Sequence, residues 1–485
     1  MSLCPSDGAA NASLAQASRR KVLFVTSEIS DYVQTGGLGE VSAALPRALL
    51  SLCDVRILIP GYRQVLARHA AIEAVGHLPP AGDIPACAIG RVNTADGIPV
   101  YIVLCPELYD REGGPYGDEA GKDWPDNDIR FARLSLAAAA MAKGEGDRAW
   151  RPDNLHLNDW PSALTSGYLA WQGVKVPTLL TIHNLAYQGV FDPSRMAALA
   201  IPQNAFNIHG VEFFGKLSYL KAGLFYSSHL TTVSATYANE ITTSEFGCGM
   251  HGLLRERQRQ GRLTGILNGI DESWDPRNPA HDEQFDSSSW KGRHADYVRG
   301  AFGLALSRGP LFAIVSRLVH QKGVDLALEV AETIVESGGQ LVVTGKGDPQ
   351  FESHMRALAQ KYRGAVGVRI GFDSNEARAM FAGSDFLLMP SRFEPCGLSQ
   401  MYAQRFGSLP IAHRTGGLAD TIDDGRTGFL FGAPTAGGLK SAVRRAFDTF
   451  SSREQFSIMR ENAMSMRFEW RESASRYTRL YEDAA

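Results

Sequence analysis

The sequence predicts an α/β protein made of two doubly wound lobes of about 200 residues each, with a cleft between them. Three observations predict it. Short apolar, β-branched runs alternate with longer amphipathic segments; the alternation breaks off in a polar stretch and then resumes; and run after run ends in glycine or in titratable residues. Residues 21–26 (KVLFVT), 55–59 (VRILI), 100–104 (VYIVL), 155–157 (LHL), 178–182 (TLLTI) and 230–233 (LTTV) form the first set. Their hydrophobicity is continuous rather than alternating, which marks strands covered on both faces and hence a parallel sheet with flanking helices. Residues 311–315 (LFAIV), 340–344 (QLVVT), 366–370 (VGVRI), 386–389 (FLLM) and 410–412 (PIA) form the second set. Between the sets, residues 275–307 are polar and lack a clear strand, as expected of a linker and the first peripheral pieces of the second lobe.

Composition narrows the function classes. With 485 residues, 44% of them hydrophobic and 21% charged, the chain resembles an ordinary globular protein with enough apolar material for two cores. A formal charge of -3 gives no electrostatic reason to expect nucleic acid or an anionic membrane as partner. The six cysteines lie far apart with no C-x-x-C pair, which fits a reducing, cytoplasmic setting rather than a disulfide framework or a structural zinc site. No apolar stretch approaches the roughly 18–20 residues of a bilayer span. Residues 1–20 are rich in Ala, Ser and Asn and read as a disordered tail; they have no continuous apolar segment for a secretory signal and only loosely match a plastid transit peptide.

In open α/β sheets, ligands bind beyond the carboxyl ends of the strands, so the residues that follow each apolar run matter most. After 21–26 come Ser27, Glu28 and then Gly36 and Gly37; after 155–157, Asn158 and Asp159; after 178–182, His183 and Asn184. In the second set, Arg317 and Lys322 follow 311–315, Arg392 and Glu394 follow 386–389, and Thr415, Gly416 and Gly417 follow 410–412. The two glycine pairs sit in echoing hexapeptides, TGGLGE at 35–40 and TGGLAD at 415–420. A glycine turn at a helix start lets backbone N–H groups approach a phosphate or a sugar hydroxyl; a tight turn without any ligand satisfies the same pattern. Neither copy spells G-x-G-x-x-G, which weighs against a dehydrogenase.

Arg317 and Lys322 suit a diphosphate, whose charge grows as a glycosidic bond to it breaks, although a solvated helix start is the plainer reading of the spacing. Glu394 lies in the constrained turn SRFEPCG, either facing a sugar or paired with Arg392, and Cys396 reads as a small packed residue. Asp126-Asn127-Asp128 spells the D-x-D of some metal-dependent transferases, but it precedes a helical run at 129–142, so helix capping explains it better and no catalytic metal is expected. Trp124 and Trp160 could stack on a glucan, with core packing the plainer role.

Several long motifs, in order, resemble the glycogen and bacterial-type starch synthases: residues 21–41, TIHNLAYQG at 181–189, 249–271, 316–323, SRFEPCG at 391–397 and RTGGLAD at 414–420. The resemblance runs from about residue 21 to the C-terminus. It implies two Rossmann-like lobes (GT-B), a retaining, metal-independent glucosyltransferase, ADP-glucose as donor and an α-1,4-glucan as acceptor. It divides the chain into a tail (1–20), an acceptor-side lobe (21–267), a donor-side lobe (268–452) and a C-terminal helix (453–485) returning to the first lobe. Position by position, it implies Arg317 and Lys322 on the diphosphate, His183 beside the transferred glucose, Asp159 and Asn184 on the glucose side, and Glu394 as the carboxylate contacting the sugar. It implies Tyr116 near the adenine or ribose, Tyr402 near the ribose, and the backbone of Gly36–Gly37, of Cys396, Gly397 and Leu398, and of Thr415, Gly416 and Gly417 near hydroxyls and phosphate. The family's K-[V/T]-G-G-L-[A/G]-D is altered here: Gln34 replaces the lysine and Glu40 the aspartate. A same-fold transferase using UDP-glucose or a small acceptor, or a non-catalytic homologue binding nucleotide sugar or glucan, are the alternatives.

Overall fold

The computed structural model describes residues 19–277 and 289–483, which fall into two compact α/β units. All but the last two residues of the expected tail, and part of the expected linker, lie outside the described residues.

The first unit is built on a nine-stranded sheet. Seven parallel strands run in the order Leu263–Gly265, His229–Thr232, Thr178–Ile182, Asn154–Asn158, Lys21–Val25, Asp54–Pro60 and Pro99–Leu104. Cys87–Asn93 and Glu73–Leu78 extend it as an antiparallel edge. Lys21–Val25 lies at the centre, with Val22, Leu23, Phe24 and Val25 fully buried by helices on both faces. The antiparallel pair is absent from the sequence reading for a physical reason: its faces are unequally covered, so buried and exposed positions interleave and no continuous apolar run forms.

The second unit is a six-stranded, all-parallel sheet in the order Val366–Ile370, Gln340–Gly345, Leu311–Val315, Phe386–Met389, Leu409–His413, Phe429–Phe431. Counted along the chain this is strand order 3-2-1-4-5-6, the doubly wound dinucleotide-fold order. The polar stretch before it contributes a helix, Trp290–Ala301, anchored by Lys291, whose ammonium donates to the carbonyls of Phe381, Ser384 and Phe406 at 2.7–3.1 Å.

The C-terminal region divides differently from the expected single returning helix. Arg453–Ser465 packs within the second unit, and only the helix Trp470–Asp483 joins the first. There Tyr477 and Tyr481 are buried, and the Tyr481 hydroxyl meets His156 Nδ1 at 2.7 Å while His156 Nε2 meets Thr181 Oγ1 at 2.7 Å. The strand Asn154–Asn158 thereby tolerates a buried imidazole, whose pKa is driven well below the ordinary value by burial. A second exchange occurs mid-chain: the helix Ala235–Glu240, between two stretches of the first unit, belongs to the second. Among the described residues no helix is long and apolar enough to cross a membrane.

Candidate active site

Each sheet reverses its winding direction at one point, and the predicted residues gather there. In the first unit the reversal falls between Lys21–Val25 and Asn154–Asn158. Beyond Lys21–Val25, buried Glu28 turns back on the glycine loop: its Oε2 accepts the N–H groups of Thr35 at 2.6 Å and Gly36 at 3.1 Å. Its Oε1 accepts the Tyr116 hydroxyl at 2.6 Å, and that hydroxyl also meets Ser27 Oγ at 2.8 Å. Tyr116, expected beside the base or ribose, braces this loop through its hydroxyl. It is held from behind by Asn127 Nδ2 donating to its carbonyl and Arg130 donating to Pro115 O, both at 2.8 Å.

Gly36 caps the helix Gly37–Leu49, and a Cβ on Gly36 or Gly37 would meet no atom of the chain within 4 Å. The loop thus offers an open backbone at a helix start, where the first N–H groups have no intrahelical acceptor. Gln34 and Glu40, the two departures from the family motif, touch one another: the Gln34 amide donates to Glu40 Oε1 at 3.3 Å and to Gly36 O at 3.2 Å.

Beyond Asn154–Asn158, Asp159 adopts a positive φ of 53° as the strand turns into the helix Asp159–Trp171. Its Oδ1 accepts the backbone N–H of His183 at 2.7 Å and that of Asn184 at 3.5 Å, fixing the loop after Thr178–Ile182. Asn158 Nδ2 donates to Val25 O at 3.0 Å, which turns its Oδ1 toward His183 Nε2 at 2.9 Å. His183 therefore carries its proton on Nε2, leaving Nδ1 as an acceptor. Burial pushes the His183 imidazole down to about 3, so it is neutral at physiological pH. Burial also pushes the Asp159 carboxyl up to about 7, against the two N–H bonds that favour its ionised form.

These shifts have opposite signs in stability. Asp159, raised from 3.8, contributes stability that is full below about pH 4 and lost as pH rises through 7. His183, lowered from 6.5, contributes stability that is present above 6.5 and lost as pH falls toward 3. Between about pH 4 and 6.5 the two slopes oppose each other. Asp159→Asn, which keeps an oxygen acceptor, is expected to remove the falling slope, so that the variant gains stability with pH more steeply than the parent across this window. Urea unfolding at several pH values checks this; parallel curves would contradict it.

In the second unit the winding reverses between Leu311–Val315 and Phe386–Met389. The segment after the first of these carries exposed Arg317 and then the single turn His320–Lys322, ended by Gly323 at φ 67°. A Cβ at Gly323 would lie 2.1 Å from Pro390 O, so only glycine lets this turn rest on the neighbouring strand end. Lys322 Nζ meets Glu394 Oε2 at 2.6 Å, and Ser391 Oγ donates to the same oxygen at 3.0 Å. The alternative pairing of Glu394 with Arg392 does not occur: Arg392 forks onto Asp325 at 2.9 and 2.6 Å and donates to His320 O. Glu394 is 5% exposed, so a buried carboxylate stands at the reversal point with a cation in contact.

The second glycine pair differs from the first. Gly416 N–H donates to Glu240 Oε1 at 3.0 Å, Gly417 N–H to Glu394 O at 3.0 Å, and both glycines are buried. The amide hydrogens of Gly416 and Gly417, expected to face phosphate or hydroxyls, are engaged inside the unit; the pair positions the Glu394 loop. Glu240, whose Oε1 also accepts the Thr415 hydroxyl at 2.9 Å, escaped the sequence reading because nothing in a short helix of mixed composition marks it. Gly397 takes φ 69°, and Leu398 caps the helix Ser399–Arg405. Burial pushes the Cys396 thiol up to about 12, which keeps it protonated and fits a packing role. Tyr402, expected near the ribose, is 8% exposed and stacks on Trp274 with ring centroids 3.8 Å apart.

The D-x-D segment opens the helix, with Asp128 Oδ1 accepting the first-turn N–H of Ile129 at 2.8 Å, and its carboxylates also pair with arginines. Asp126 is the N-cap of Asn127–Lys143 without a side-chain cap bond; its carboxylate pairs with Arg111 and that of Asp128 with Arg195. Trp160 packs among Phe131, Tyr116, Phe191 and Tyr219. Trp124 lies under the Arg111 guanidinium at 5.0 Å.

Comparison with known proteins identifies the family. Residues 21–256 match the starch synthase catalytic domain family and residues 303–463 the glycosyl transferases group 1 family. Glycogen synthase 1 of Bradyrhizobium diazoefficiens is 57% identical over 460 residues, 94% of this chain and 100% of that protein. The glycogen synthase of Pseudomonas putida is 58% identical over 468 residues, 96% of this chain and 90% of that protein. Among solved structures, the catalytic domain of starch synthase IV from Arabidopsis thaliana, bound to ADP and acarbose, superposes with a TM-score of 0.83 at 29% identity, covering 96% of this chain and 99% of that one.

Proposed function

The chain belongs to the glycogen synthase family of starch-synthase-type glycosyltransferases, and from that premise we propose that it elongates α-1,4-glucan in the cytoplasm with ADP-glucose as donor. The observation that carries the reading is the pair of Lys322 and buried Glu394, set at the winding reversal of the second unit, with Arg317 on the same loop. A cation there stabilises the charge that accumulates on a departing diphosphate more than it stabilises the intact donor. The 4-hydroxyl oxygen of the glucan bonds to the anomeric carbon as the bond from that carbon to the diphosphate oxygen breaks. The hydroxyl proton passes to the diphosphate. Retention follows when attack and departure share one face of the sugar. In the second unit Glu394 offers its carboxylate to the sugar side; in the first, His183 is neutral and fixed through Asn158 and Asp159.

ADP rather than UDP as the leaving group is supported by the family and by the ADP-bound starch synthase relative. Purified protein with ADP-glucose and glycogen is expected to release ADP and to lengthen the glucan; with UDP-glucose, release is expected to be far slower. Preference for UDP-glucose, or transfer only to glucose 6-phosphate, would replace this reading, and binding without turnover would mark a non-catalytic homologue.

Gln34 bears on the donor. It can donate hydrogen bonds but cannot neutralise phosphate. Gln34→Lys is expected to lower the Michaelis constant for ADP-glucose by roughly threefold to tenfold, the range of one partly screened, charge-assisted contact. Unchanged constants for both ADP-glucose and UDP-glucose would remove Gln34 from donor recognition.

A further inference from the structure

We propose that Glu240 is a positioning residue for glucosyl transfer: by holding Thr415 and Gly416 it sets the backbone on which Glu394 stands. The inference rests on the transferase reading above and adds a residue that lies outside the strand-end loops.

The geometry is a reciprocal clasp of two short helices, Ala235–Glu240 and Gly416–Thr421. Near the end of the first, Glu240 Oε1 accepts from Thr415 Oγ1 at 2.9 Å and from Gly416 N at 3.0 Å, at the start of the second. Near the end of the second, Asp420 accepts from Thr236 N at 3.0 Å and Thr236 Oγ1 at 2.5 Å, at the start of the first. Each carboxylate thus sits where the partner helix has unsatisfied N–H groups and a positive dipole end.

The clasp leads directly to the candidate catalytic carboxylate. Gly416 is held at φ 43°, a Cβ there would lie 1.9 Å from Glu394 O, and Gly417 N–H donates to Glu394 O at 3.0 Å and Pro395 O at 3.2 Å. Glu394 in turn reaches Lys322 at 2.6 Å. A shift of Gly416 therefore moves the backbone of Glu394, and small misplacements of a reacting constellation are expensive in rate. The first glycine loop has its own carboxylate in the corresponding place: Glu28 accepts from Thr35 N and Gly36 N. The echo of TGGL in the sequence is thus matched by an echo of acidic residues binding the loop donors. In the first loop the glycines face open space, and in the second they face Glu394 and Cys396.

The test compares Glu240→Ala, Glu240→Gln and Thr415→Val in the full chain, reading ADP release with ADP-glucose and glycogen, thermal unfolding, and kcat and KM separately. Glu240→Ala is expected to lower kcat by on the order of 100-fold, as for a displaced catalytic group, with KM for glycogen unchanged. Glu240→Gln keeps an oxygen acceptor for both donors and is expected to recover activity to within about tenfold of the parent. Thr415→Val is expected to have a smaller effect that adds little in the Glu240→Ala background, because both act through one contact. The proposal is overturned if kcat per folded molecule in Glu240→Ala equals the parent's, if Glu240→Gln is as impaired as Glu240→Ala, or if the two substitutions combine independently. A parent protein with no transfer to glycogen would instead sink the transferase reading, a result distinct from all three.

Discussion

Lys322→Ala is expected to lower kcat by on the order of 1,000-fold, the scale of removing one preorganised electrostatic group from a transition state. It is also expected to destabilise the second unit. Glu394 is 5% exposed, and without Lys322 its carboxylate would keep only the Ser391 hydroxyl among the contacts to its Oε2. Breaking a buried pair from one side costs about 3–5 kcal/mol, because the remaining charge stays buried without compensation. Activity and stability therefore fall together in the single variant, which by itself cannot tell a catalytic lysine from a structural counter-ion. The double variant Lys322→Ala/Glu394→Gln, read against Glu394→Gln alone, separates the two, because Glu394 is itself proposed to face the sugar. A neutral amide carries no uncompensated charge and can still accept from Ser391, so stability is expected to return to within about 2 kcal/mol of the parent. Turnover is expected to lie well below that of Glu394→Gln alone. Urea unfolding and nucleoside diphosphate release measure the two quantities; turnover equal to that of Glu394→Gln alone would reduce Lys322 to a counter-ion.

How much of this was legible in the sequence depends on which force shaped each feature. Strands buried on both faces, such as Lys21–Val25 and Leu311–Val315, announce themselves as unbroken apolar runs, and the residues after them fall at the ligand-binding ends of the sheets. That is why Glu28, Asp159, His183, Lys322 and Glu394 all came into view. Pairing across long sequence separations left no such mark. Glu394 chose Lys322, 72 positions away, over Arg392, two positions away, because Arg392 is drawn to Asp325. Tyr116 and Tyr402 were marked for the nucleotide, but the sequence did not show the protein contacts each makes. The hydroxyl of Tyr116 is bound to Glu28 and the ring of Tyr402 to Trp274, contacts set by tertiary packing. Glu240 was invisible for the same reason. Its contact with Thr415 and Gly416 comes from the chain leaving the first unit at Ser234 and returning at Ile241, a route that no local pattern encodes.

The two glycine pairs carry the sharpest contrast between like sequences in unlike surroundings, and Gly417→Ala is expected to be the more damaging of the paired substitutions. A Cβ at Gly417 would lie 2.0 Å from Cys396 O and 2.5 Å from Cys396 Cα. Both are backbone atoms of a loop already tied down by Gln400 Nε2, which donates to the carbonyls of Cys396 and Gly397 at 3.0 Å. No flexible side chain can yield, so the loop must move, at a cost of about 3 kcal/mol or more for a steric conflict in a packed region. Because Gly417 N–H also donates to Glu394 O, the displacement reaches the carboxylate proposed to act at the sugar, and activity is expected to fall beyond what the unfolded fraction explains. Gly37→Ala is the control. Its Cβ would meet nothing within 4 Å at the first position of the helix Gly37–Leu49, so stability is expected to be unchanged or raised by about 0.5–1 kcal/mol through a less flexible unfolded chain. Any kinetic defect of Gly37→Ala then reports close approach of a ligand to that backbone, read as a higher KM for the donor at full stability. Equal destabilisation by the two alanines would show that the loops are packed alike and that the open first loop is no ligand platform.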